Sequence, residues 1–230
     1  MIDVVGKFSA SIALVAWAVS GWPAFAAEKA PSTIEIARED VGEPPSNFEF
    51  SLRGEGQPGR WIVVLDPTAI GGVAIEHVST DQHDDRFPLA IYKPLRQENV
   101  EVEVRFKIVS GTMQAAGVVV GLRDSDDFYA VSASALEHRV ALLLFMNGKI
   151  EQIESAEAEV MLNRWHMLKV VANDDHFAVS LDQKILFTTF DRARMKDGRV
   201  ALLTQEDNVT RFDQIEIRPL PGLDGIEQAR

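Results

Sequence analysis

The 230-residue chain has no cysteine. That excludes disulfide stapling, thiolate metal sites, a cysteine nucleophile and a lipidated cysteine at a mature N-terminus, so the fold must rest on its own core. Cationic blocks are also missing. The 35 Asp plus Glu outnumber the 23 Lys plus Arg, for a formal charge of −12, which excludes nucleic acid as a partner because phosphate-binding surfaces need a basic stripe. Charge argues against an anionic lipid surface for the same reason. Amphipathic helix patterns are scarce; only Ala156 to Leu162 and the tail beyond Pro219 have room for short ones.

Long apolar runs are limited to one. Phe8 to Val19 is shorter than the about 20 residues of a membrane span, and it is followed by Gly21-Trp22-Pro23 and then Ala24-Phe25-Ala26, with small residues at the −3 and −1 positions of a cleavage site. This predicts a signal peptide over residues 1–26. The mature protein is then periplasmic or secreted, begins near Ala27 and has no stable membrane insertion after cleavage. Asp3 and Lys7 cancel in the leading segment, which leaves an uncleaved anchor as the alternative.

What the chain does have is alternation. Val100, Val102, Val104, Phe106 and Ile108 interleave with Glu101, Glu103, Arg105 and Lys107, a period of two that marks a strand with one face in a core and one in water. Hairpins follow in succession. Ala116–Arg123 and Phe128–Ala135 flank the acidic turn Asp124-Ser125-Asp126-Asp127, Arg139–Met146 meets Lys149–Ile153 across Asn147-Gly148, and turns at Asn173-Asp174-Asp175 and Asp182-Gln183 separate three further strands. Turns every 8–12 residues without parallel crossovers predict an all-β, antiparallel two-sheet sandwich. Residues 27–58, rich in proline and glycine, read as a polar leader with an edge strand at Phe48 to Leu52; residues 59–218 form the sandwich and 219–230 a tail. Val102, Val104, Phe106, Val118, Val131, Leu142, Leu168, Val170, Val179 and Ile215 are the expected core.

The chemistry is less explicit. Glu101 and Glu103 share a strand face, but Arg105 and Lys107 continue that face with opposite charge, so it reads as salt-paired and solvated. Asp213 and Glu216, three apart on a strand, are expected on opposite faces. His166 shares a face with Leu168 and Val170 and reads as a hydrogen-bonded core or edge residue. His77 and His83 flank Asp81-Gln82-His83-Asp84-Asp85, a solvated turn with a cation loop as the alternative. Ser132 and Ser134 show no His–Asp partner. No cofactor and no metal site are assigned from spacing.

Gly111, Ala116-Gly117, Arg123 with Asp127-Phe128-Tyr129, Ala133 to Glu137, Asn147-Gly148, Trp165 to Val170, Leu181-Asp182, Gly198-Arg199-Val200 and Asp207 to Asp213 together form a pattern that resembles the concanavalin A-like lectin/glucanase superfamily. It is most similar to bacterial exported laminin-G-like and 3-keto-disaccharide hydrolase-like domains. The resemblance covers about Trp61 to Ile217 and implies a jelly-roll sandwich. It also implies a ligand site at Arg123, Tyr129, Glu137 and Asp207, with Tyr129 stacking on a sugar and Arg123 donating hydrogen bonds. Laminin-G-like relatives bind calcium at sandwich edges, so a structural calcium at Asp124 to Asp127 stands as the alternative to a plain hairpin turn. Ser132, Leu203 and Gln205 stand where many relatives carry Arg, Trp and Lys, and the Glu-x-Asp-x-(x)-Glu pattern of the glucanase branch is absent. The expected function is binding of a carbohydrate or glycoconjugate. An enzyme acting on a modified glycoside, with a single base, is the first alternative, and a structural or protein-interaction module is the second.

Overall fold

A computed structural model describes residues 31–81, 83, 85–193 and 197–222. The expected signal peptide, the first residues of the leader, Gln82, Asp84 and the end of the tail lie outside the described residues. Among the described residues, fifteen strands run in chain order: β1 (Ser32–Thr33), β2 (Phe48–Arg53), β3 (Arg60–Leu65), β4 (Val73–Val78), β5 (Phe87–Tyr92), β6 (Val100–Ser110), β7 (Ala115–Asp124), β8 (Asp127–Ser134), β9 (Arg139–Met146), β10 (Lys149–Glu157), β11 (His166–Asn173), β12 (His176–Leu181), β13 (Lys184–Phe190), β14 (Arg199–Thr204) and β15 (Val209–Pro219).

They form two antiparallel sheets. The eight-stranded sheet is ordered β13-β12-β11-β6-β15-β4-β3, with β1 beside β15, and the seven-stranded sheet is ordered β10-β9-β8-β7-β14-β5-β2. Alternation places one face of each strand between the sheets. All ten expected core residues are buried there. The Asn147-Gly148 turn adopts positive φ at both residues (54° and 75°), the backbone that suits a two-residue hairpin to strand twist.

Three features differ from the sequence reading. Ala156 to Leu162 forms no helix, because β10 continues to Glu157 in register with Arg139. The leader does more than supply one edge strand: Ser32 pairs with Ile217, the Ile34 amide donates to the Ile215 carbonyl at 2.8 Å, and Ile34 is buried. Finally, β15 carries a bulge between Phe212 and Ile215, so Asp213 and Gln214 together oppose a single partner residue, Arg105. The extra residue puts Asp213 and Glu216 on the same outer face rather than on opposite ones. There Asp213 pairs with Arg105, while Glu216 accepts from Gln214 at 2.9 Å.

Candidate functional site

The outer face of the seven-stranded sheet is strongly curved. Four strand-to-strand steps separate β5 from β9, about 19 Å in a flat sheet at ~4.8 Å per step, yet the Phe87 and Phe145 ring centroids lie 5.0 Å apart. The sheet therefore coils until these side chains meet across its outer face. Phe128 stacks on Phe145 at 4.4 Å, and Leu89, Ile91, Val119, Leu122 and Leu203 join them in a second hydrophobic cluster separate from the core between the sheets. Arg53, from the end of β2, lies over both bridging rings, 5.7 Å from Phe87 and 5.4 Å from Phe145.

Beside this aromatic bridge the same face opens into a groove of about 220 Å³. Its apolar lining is Phe87, Met113, Ala115, Ala141 and Leu143, and its neutral polar lining is Ser132, Ser134, Gln152 and Gln205. Small residues on neighbouring strands keep it open. Gly117, opposite Ser132, is fixed by a close approach, since a Cβ there would lie 1.9 Å from the Val131 carbonyl oxygen. The charged rim is Glu137 with Arg139, whose guanidinium donates to Glu137 Oε2 from Nε at 3.2 Å and from Nη2 at 2.7 Å.

The four residues carried over by resemblance do not gather here; only Glu137 borders the groove. Tyr129 points inward, 2% exposed, packs on Phe177 with centroids 4.7 Å apart and donates its hydroxyl to Asp191 at 2.9 Å. Burial, reinforced by the Asp191 carboxylate, pushes its pKa up, and its ring faces core rather than solvent. Arg123 projects from the far end of β7, its side chain 59% exposed, and pairs with Asp127 at 3.4 Å. Asp207 accepts from the Thr112 amide at 2.8 Å and hydroxyl at 2.7 Å, which ties the β6–β7 turn to the loop before β15.

Sequence reasoning missed Arg139, Ala141, Leu143 and Gln152. A signal was available: Ser132, Ser134, Ala141 and Leu143 all fall on the outward period of two adjacent hairpin strands, and such a run of small and neutral residues leaves space. Ser132 and Gln205 were singled out as departures from the family pattern, and both line the groove.

The other candidates have structural partners. The acidic turn joins neighbouring loops, since Asp126 accepts from the Gly148 amide at 2.5 Å and from Arg53 at 3.4 Å. His166 is buried between Asp182 Oδ2 (2.8 Å) and the Met161 amide (3.0 Å). His77 is fully buried; its Nδ1 lies 3.0 Å from the Thr204 hydroxyl and 3.1 Å from the Asn208 carbonyl, and its Nε2 3.3 Å from the Pro58 carbonyl. Burial lowers its pKa to about 4 against the opposing effect of those carbonyls. Asp81 meets His83 and accepts from the Gln57 amide at 2.9 Å. Among the described residues, no three His, Asp or Glu side chains converge as a metal set.

No family model matches the chain, and no curated protein matches it in sequence. Solved structures do match in fold. The carbohydrate-binding module CBM66 from Bacillus subtilis aligns with a TM-score of 0.57 at 20% identity, over 74% of this chain and 94% of that one. A Bacillus subtilis protein of unknown function with a galectin-like fold gives 0.56 at 11% identity, over 83% and 96%. A Bacillus licheniformis β-glucanase gives 0.55 at 8% identity, over 79% and 96%. The likeness is one of architecture, and the chain has the concanavalin A-like jelly-roll fold that the sequence resemblance implied.

Proposed function

We propose that the protein is an exported sandwich that binds a carbohydrate or glycoconjugate in the groove on its seven-stranded sheet. The observation that carries this reading is the composition of that groove: neutral donors and acceptors from Ser132, Ser134, Gln152 and Gln205 set against an apolar lining. A sugar ring presents hydroxyls that both donate and accept, and serine hydroxyls and glutamine amides answer both roles. Its C–H face needs apolar contact, which Phe87, Ala141 and Leu143 supply. Glu137 and Arg139 add charge-assisted bonds at the rim. The fold shared with a carbohydrate-binding module supports the reading at the level of architecture.

The groove is small. Its 220 Å³ lies below the ~300–1,000 Å³ of sites that enclose drug-sized ligands, so it holds about one ring. Affinity should be modest, micromolar to millimolar, or roughly −4 to −8 kcal/mol. Glycosidases of the common kind place two carboxylates about 5–10 Å apart across the bond they cleave. Among the described residues lining this groove, Glu137 is the one carboxylate and Arg139 engages it, so the reading is binding without carboxylate-pair hydrolysis.

A glycan array followed by thermal-shift titration tests this. A sugar at 100 times its Kd should add about 2.7 kcal/mol of stability to the wild type. Gln152→Ala and Ser132→Ala should each weaken it several-fold without lowering Tm in its absence. If no glycan stabilises the protein, or one does and both variants bind it unchanged, the groove is not the site.

A further inference from the structure

Phe87 belongs both to the groove and to the aromatic bridge: it lines the one and lies beneath the Arg53 guanidinium in the other. Phe145 meets Phe87 edge to face, with centroids 5.0 Å apart and ring planes at 78°, under the same guanidinium, so the two rings form an aromatic corner. A cation over an aromatic ring is held by the ring's quadrupole, and it fills the space in which a ligand's C–H groups would meet the same ring.

The cap is lightly anchored. Its Nε is 3.4 Å from Asp126 Oδ1, a side chain 42% exposed, and its Nη1 is 3.2 Å from the Asp85 carbonyl. Both contacts lie at or beyond the long end of the hydrogen-bond range, whereas Arg211 on the opposite sheet holds Glu76 at 2.6 Å and Asp66 at 2.9 Å. Arg53 is also the last residue of an edge strand, which pairs with β5 alone.

We propose that Arg53 is a specificity-determining cap, whose guanidinium covers a second subsite at the Phe87–Phe145 corner, which adjoins the groove through Phe87 and takes the apolar C–H groups of a second sugar ring. The assignment to sugar rests on the groove being the carbohydrate site; the existence of a capped aromatic surface does not. With the cap in place the protein favours single-ring ligands, and without it two-ring ligands gain.

Two measurements separate these parts. Titration with the apolar dye anilinonaphthalene sulfonate should show binding to Arg53→Ala and none to wild type. Titration with a panel of methyl hexopyranosides and the matching homodisaccharides should show the disaccharide-to-monosaccharide affinity ratio rising about tenfold in Arg53→Ala. Asp126→Asn keeps Arg53 and loosens its anchor, so it should move both readings in the same direction and serves if Arg53→Ala does not fold. A folded Arg53→Ala that binds no dye and keeps the wild-type ratio overturns the cap. Dye uptake with an unchanged ratio overturns the sugar subsite. If the monosaccharides bind but Gln152→Ala and Ser132→Ala both leave them unaffected, the groove reading fails, and the dye result alone decides the cap.

Discussion

The two outer faces of this sandwich arise from the same period of two and are finished in opposite ways. On the eight-stranded sheet, Lys169 bridges Glu101 at 2.9 Å and Glu103 at 3.6 Å, Arg211 bridges Glu76 and Asp66, and Lys107 reaches Asp66 at 2.5 Å. Arg105 and Lys107 lie over Trp165 at 4.5 and 4.7 Å. On the seven-stranded sheet the outward positions are aromatic and aliphatic at one end and small or neutral at the other. Charges that pair across neighbouring strands fill a face and leave its groups satisfied. Apolar side chains draw a face inward to leave water, and the coil this produces leaves a hollow wherever the outward residues are small. The groove is thus a by-product of how the aromatic end is closed.

Breaking either closure should cost most. Phe145→Ala removes a buried ring that touches Phe87 and Phe128 and should destabilise by about 4 kcal/mol, with little dependence on salt in urea unfolding. Asp66→Ala leaves the buried Lys107 ammonium without its nearest carboxylate and should cost about 3 kcal/mol. Burial works to raise the pKa of Asp66, but hydrogen bonds from Lys107, Thr68 and Arg211 outweigh it, and the net displacement is well below the ordinary value of 3.8. A depressed carboxylate contributes stability that is full above its unfolded pKa and lost as pH falls through its folded one. The acid limb of the stability curve should therefore flatten in Asp66→Ala and persist in Phe145→Ala. Equal acid limbs would dissolve the contrast between the faces.

His77 sharpens the comparison because it joins the two sheets, from β4 to Thr204 on β14. Its pKa is depressed from 6.5 to about 4 by burial, so the unfolded chain binds the proton first. Stability from this site is complete above about pH 6.5 and falls as pH drops toward 4, by on the order of 3 kcal/mol. Urea unfolding at pH 7 and pH 4.5 should show that loss in the wild type and much less of it in His77→Gln, even though the variant starts lower. A pH-independent wild type over this window would mean that the joint is not a neutral buried imidazole.

The fold was legible in the sequence because it is written in periodicity. The β6 alternation, the Asn147-Gly148 turn and the spacing of hairpins each have a local physical cause, and all ten expected core residues are buried. What was not legible depends on geometry that no window of residues contains. The β15 bulge moves Asp213 by one position, the coil of the seven-stranded sheet brings Phe87 to Phe145, and the Arg53 cap comes from a segment read as a polar leader. A ligand site depends most on such geometry. Tyr129 has the right chemistry for stacking, but its parity on β8 sends it inward, whereas Ser132 and Ser134, one strand face away, point to the groove. Parity was available from Val131, an expected core residue two positions on from Tyr129.

The smallest expected effects decide where the site lies. Tyr129→Phe removes one hydrogen bond to a carboxylate and keeps the ring, so it should cost about 1–2 kcal/mol and leave sugar affinity within twofold. Arg123→Ala removes an exposed ion pair at 3.4 Å and should change stability by no more than about 0.5 kcal/mol, again with affinity unaltered. The first follows from the burial of Tyr129 and the second from distance: Arg123 lies next to the end of β7, whereas the groove is lined by Ala115 at its start. Thermal melts and glycan titrations of the two variants give four numbers. A lowered Tm in Tyr129→Phe with unchanged binding in both places the tyrosine in the core and the ligand in the groove. Weakened binding in Arg123→Ala at an unchanged Tm would move the site to the opposite end of the sheet, beside the acidic turn, and the groove would then be only the space left by a coiled sheet.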